Sequence, residues 1–163
     1  MRNHKELKRT VKKGIRLVFF AAMKEGYATD RQKGTIVELP GSKTLTYVQG
    51  PWKVVDVYFV TPLSARSGGM TIISYGDIPV WIGQYNGWYK ESAIPCLKAA
   101  LAANYRRHRL LGCRGPRQFE HKGIRYLNSP DRSSGFNSSG SEEIQDPKGT
   151  VLGWHNYRNM MLI

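Results

Sequence analysis

The chain has 163 residues, 40% of them hydrophobic and 23% charged, which is the profile of a single folded domain rather than a disordered segment. Its two cysteines, Cys96 and Cys113, are too few for a disulfide framework, and no CxxC or Cys/His spacing suits a metal. Lys and Arg exceed Asp and Glu by 13, a surplus that raises self-repulsion and points to a polyanionic partner when it is clustered.

The first cluster comes at once, with ten cations against three acids in residues 1–34. Within it, residues 5–25 have helical period: Leu7, Val11, Ile15, Val18 and Ala22 recur every three or four positions, widened by Phe19 and Met23. Lys5, Lys8, Arg9, Lys12, Lys13 and Arg16 occupy the other side, so one face is expected to be core and the other a cationic stripe. Gly26 is read as the helix stop, followed by a polar turn around Asp30. The apolar run at 17–23 follows a basic lead as in a secretory signal. It is short, however, and Lys24-Glu25 stands where a small-residue cleavage site belongs, so a helix core in a cytoplasmic protein is expected. No stretch approaches the ~20 apolar residues of a membrane span.

From Thr35 the period changes to two, with strands expected at 35–39, 43–48, 53–60, 70–75 and 78–85 and a longer loop at 61–69. A second helix is expected over 93–109, capped by Ser92, with Pro95 in its first turn and Ile94, Leu97, Leu101 and Tyr105 buried. The second cationic cluster begins here: residues 98–127 hold eight cations and one acid. Strands resume at 117–119, 124–127, 142–145 and 151–157, interrupted by a polar loop at 129–141. Matches at an offset of 72 (Tyr47 with Phe119, Gly68 with Gly140, Ile72 with Ile144, Val80 with Leu152, Tyr85 with Tyr157) suggest an internal repeat. The expected fold is therefore α+β: one domain, residues 1–163, whose pseudo-repeated halves at 5–88 and 92–160 form a curved antiparallel sheet with two helices packed on it.

Three runs are similar to a bacterial family, the domain of unknown function 5680: 41–47 (GSKTLTY), 78–87 (IPVWIGQYNG) and 114–119 (RGPRQF). The resemblance covers residues 15–160 and implies a shared fold. Members of that family can follow a helix-turn-helix module in transcriptional regulators, which would imply a sensing role. This chain has no room for such a module before residue 15, and it reads Gly69-Met70-Thr71 where the family tends to carry a glutamate.

Two patches carry the functional expectation. Lys8, Arg9, Lys12 and Arg16 would form one nucleic-acid contact, since cations spaced along a rigid helix suit phosphates. Arg106, Arg107, Arg109, Arg114, Arg117 and Arg125 would form the other, because guanidinium forks bind phosphate oxygens in pairs and the interleaved Tyr105, Phe119 and Tyr126 could stack on bases. Against this stands a bland reading: a solvated helix face, core aromatics, and arginines paired with Glu142, Glu143 and Asp146. For an enzyme, His108 and His121 with Arg117 could serve a metal-free ribonuclease. The sparse acids argue against metal chemistry, and neither Ser-Ser-Gly run has the glycine spacing of a nucleotide loop. No cofactor or metal is expected. The primary expectation is a non-enzymatic binding or regulatory protein for nucleic acid or a nucleoprotein complex, of a kind a mobile element would aim at a host system, with self-association left open. The alternatives are a sensor for a small anionic ligand in an aromatic pocket, and the ribonuclease.

Overall fold

The computed structural model describes residues 4–28 and 33–163, except the side chains of Tyr27, Ala28 and Ser133. The expected turn at Asp30 lies outside the described residues. Helix α1 (His4–Ala28) is followed by strands β1 (Gly34–Ile36), β2 (Leu39–Gln49), β3 (Trp52–Thr61), β4 (Ser64–Tyr75) and β5 (Ile78–Tyr89). A single 3-10 turn (Glu91–Ala93) leads into α2 (Ile94–Arg106), and β6 (Gln118–His121), β7 (Ile124–Ser134), β8 (Asn137–Gln145) and β9 (Val151–Met161) complete the chain.

All nine strands form one open antiparallel sheet in the order β1-β2-β3-β4-β5-β9-β8-β7-β6. The last strand of each meander, β5 and β9, meet in the middle with Tyr85 opposite Tyr157. Helix α1 packs over β2, β3 and β4, α2 packs over β6 and β7, and the helices touch each other. One apolar cluster joins them: Val11, Val18, Phe19 and Phe20 of α1, Ala100, Leu101 and Tyr105 of α2, and Ile73, Trp81, Tyr126 and Ile144 of the sheet. Phe19 lies at its centre, edge-on to Phe20, Trp81, Tyr105 and Phe136 at 5.2–5.9 Å between ring centroids.

The predicted face of α1 is the buried one, while Lys8, Arg9, Lys12, Lys13 and Arg16 are exposed. Gly26 does not end the helix, which runs on to Ala28. An internal glycine costs only about 1 kcal/mol, and the preceding turn, through Ala22 and Met23, still packs on the core. Ser92 is not a cap either: it lies inside the 3-10 turn, and Ala93 occupies the cap position without a side-chain bond.

The two expected loops, 61–69 and 129–141, are mostly strand. Polar and glycine-rich composition reads as loop, yet a ladder needs only backbone groups, and these hairpin ends project where few side chains must be buried. Phe59 pairs with Gly68 and Val60 with Ser67 in one hairpin, and Ser133 with Ser138 in the other.

Candidate functional site

The two basic segments, about ninety residues apart in sequence, meet in space. Arg16 Nη2 donates to the His108 carbonyl at 2.5 Å, and Lys24 Nζ donates to His108 Nε2 at 2.9 Å. The His108 ring stacks on Phe20 at 4.9 Å between centroids. The turn after α2 is thereby tied to the exposed side of α1, and Arg106, Arg107 and Arg109 join the stripe of Lys8, Arg9, Lys12 and Arg16. None of these seven has a carboxylate partner among the described residues. Arg117 and Arg125 are exposed on the β6–β7 edge, under α2 rather than α1, and stand apart from this face.

Arg114 is not part of either surface. Its guanidinium binds Glu142 through Nε at 3.0 Å and through Nη2, and only 11% of its side chain is accessible. Glu142, fully buried, also accepts from Tyr89 Oη at 2.7 Å and from Tyr126 Oη. Burial alone would raise its pKa, but the Arg114 charge and these four donors outweigh it and hold the carboxyl below its usual range. An arginine so engaged offers nothing to phosphate. Tyr126, 0% exposed, cannot stack on a base.

His108 and His121 do not form a pair. Ile124, opposite His121 in the β6–β7 register, accepts from the Cys96 thiol in the first turn of α2. His108 lies beyond the last turn, so about 15 Å of helix separates the two.

What the sequence reading missed is a polar band across the inner face of the sheet. Tyr157 Oη donates to Asn128 Oδ1 at 2.8 Å, and Asn159 Nδ2 donates to Ser138 Oγ at 2.9 Å. On the other side of the β5–β9 seam, Asp56 Oδ1 accepts from Thr71 Oγ1 at 2.7 Å and Tyr85 Oη at 3.0 Å. The signal was strand parity: in 53–58, Asp56 alternates with Val54 and Tyr58 and so shares their inward face.

A half-open cleft lies beside this band. A cavity of about 530 Å³ lies between the helices and the β3–β5 region, with Phe19, Met23, Leu97, Tyr58 and Trp81 among its apolar walls. Asp56, Thr71, Tyr85, Ser67, His155 and Arg114 supply its polar wall. Burial holds the Asp56 carboxyl above its usual pKa, although hydrogen bonds from Thr71 and Tyr85 and the charge of Arg114 oppose this. His155 meets Ser67 Oγ through Nε2 at 3.2 Å, lies 4.3 Å from the Tyr89 ring, and keeps a buried Nδ1 without a partner among the described residues. Burial, aided by Arg114 and opposed by Glu142, lowers its pKa to about 4, so the ring is neutral at pH 7. The Cys113 thiol, pushed up to about 12 by burial, is unreactive. Among the described residues no cluster of His, Cys, Asp and Glu could hold a metal ion, and no helix is long and apolar enough to cross a membrane.

No family model matches the chain, no curated protein is similar to it, and no solved structure matches it.

Proposed function

We infer that this protein is a non-enzymatic, nucleic-acid-binding regulatory protein whose contact face is built from α1 and the turn after α2. The observation that carries this is the bond from Arg16 to the His108 carbonyl, which joins two separately cationic segments into one surface. A merely solvated helix balances its cations with acids at i,i+4, whereas α1 carries seven Lys and Arg against Glu6 and Glu25. Exposed, unpaired arginines and lysines on a rigid helix are phosphate ligands, and no base-reading motif accompanies them, so recognition is of backbone charge. The ribonuclease alternative loses its acid/base pair, and His108 becomes the clamp that holds the face together. The sensor alternative has Lys33 and Lys98 on the cavity lining to hold an anion, but Arg114 there is already neutralised by Glu142, and Asp56 on the same wall would oppose an anion.

The halves are a repeat: Tyr85 donates to Asp56 as Tyr157 does to Asn128, each pair 72 residues from its counterpart. Gly69 and Gly140 pass beneath those hydroxyls, where a Cβ would sit 2.8 and 2.5 Å from the oxygens, so the counterpart of Gly140 is Gly69 and not Gly68. Kinship with the domain of unknown function 5680 rests on the three short runs alone.

The test is fluorescence anisotropy with labelled single-stranded and duplex oligonucleotides. Binding without sequence preference is expected, and changing Arg106, Arg107 and Arg109 together to Glu should abolish it while stability falls by no more than about 1–2 kcal/mol. Wild-type protein that fails to bind at low salt, or a triple variant that binds normally, overturns the reading.

A further inference from the structure

Asp56 is a carboxylate doing work that an amide does elsewhere in the same sheet. Its Oδ1 holds the Tyr85 hydroxyl, as Asn128 Oδ1 holds that of Tyr157. The structural task therefore does not require a charge. Its second oxygen makes no hydrogen bond among the described residues, and the side chain lines the cavity. A carboxylate oxygen that lines the cavity without a protein donor can accept from a molecule that enters it.

Among the described residues no donor bonds to that oxygen, although Lys98 also lines the cavity. Arg114 is spent on Glu142, and His155 is turned to Ser67. At the mouth, Lys33 sets its ammonium over the Tyr58 ring, 5.5 Å from the centroid, and makes no ion pair with Asp56. That contact also shows that the aromatic wall tolerates a cation on its face. The volume of about 530 Å³ suits a metabolite-sized molecule with an aromatic or aliphatic body.

We propose that the cavity is a binding site for a small organic cation, an amine or amidine on an apolar body, whose charged nitrogen is received by Asp56 Oδ2. This site is independent of the nucleic-acid face, which uses the other half of α1. The net charge of +13 opposes the approach of a cation at long range, but over the ~8 Å screening length of physiological salt the adjacent carboxylate decides. The occupant reverses the charge expected of a small ligand from composition alone.

The test compares three probes of one shape: tryptamine (cation), 3-methylindole (neutral) and indole-3-acetate (anion), titrated by calorimetry into the full chain. Tryptamine is expected to bind at least about tenfold more tightly than either control. Asp56→Asn keeps the acceptor for Tyr85 and Thr71 and removes a carboxylate whose ionisation burial opposes, so its melting temperature should be at or above that of wild type and the preference should be lost. Met23→Trp, which fills the cavity from α1 without touching the carboxylate, should block tryptamine and leave oligonucleotide binding unchanged. Equal binding of tryptamine and 3-methylindole, tightest binding of indole-3-acetate, an Asp56→Asn variant that still prefers tryptamine, or no binding of any probe at millimolar concentration each overturns the proposal. None of these outcomes bears on oligonucleotide binding, so the two readings stand or fall separately.

Discussion

His155 and Glu142 face each other across the β8–β9 ladder, and acid reaches them in turn. His155 has its pKa lowered from 6.5 to about 4 by burial, so the native ring resists protonation that the unfolded chain accepts freely. Stability is intact above pH 6.5 and falls as the pH drops toward 4, by about 3 kcal/mol for that shift. Asp56, whose pKa is raised, acts in the opposite sense: the native state favours its neutral form, and stability is lost as pH rises through the native pKa. Glu142, whose pKa is lowered, keeps its contribution above 4.5 and loses it below. Urea unfolding at pH 7.5 and pH 5 separates these effects when wild type is compared with His155→Gln. The variant should lose less stability than wild type on going to pH 5, and an identical loss would show that the imidazole is not held neutral.

At the scale of the element, α1 has two separable jobs. Its inner face closes the core, and Phe19 alone touches rings from α2, β5 and the β7–β8 turn. Phe19→Ala should cost roughly 3–5 kcal/mol, because the neighbouring rings cannot collapse into a space that already adjoins a cavity. A thermal or urea melt equal to wild type would mean that the helix is not docked. Both faces of α1 were legible in the sequence, since its apolar and cationic residues keep a single period for some twenty positions. The hairpin ends were not, because Ser64–Gly69 and Asn137–Ser141 hold their ladders through backbone groups that leave no trace in composition. The site divides in the same way. Cations announce themselves, but nothing in the sequence says that Arg16 reaches His108, or that Arg114, one arginine in a run of them, turns inward to Glu142. That distinction depends on Glu142 lying on an inner strand face 28 residues away.

For the whole molecule, the short strands β1 and β6 cover only one part each of β2 and β7, with partners at Leu39 and Thr44 and over Ile124–Leu127. Gathering cations costs stability through self-repulsion, and a bound polyanion offsets it by releasing its own counterions. If the face of Lys8, Arg9, Lys12, Arg16, Arg106, Arg107 and Arg109 engages six or seven phosphates, log K should fall with log salt at a slope of about −5. Neutralising three of them as Arg106→Gln, Arg107→Gln and Arg109→Gln should reduce that slope to about −3 and weaken binding equally for all sequences. Arg117→Gln and Arg125→Gln, on the far edge, should leave it unchanged. Anisotropy titrations between 50 and 200 mM salt read all three slopes. If the far-edge pair flattens the slope as much as the triple variant, the nucleic acid wraps both halves of the sheet, and the single face built around Arg16 and His108 is the wrong surface.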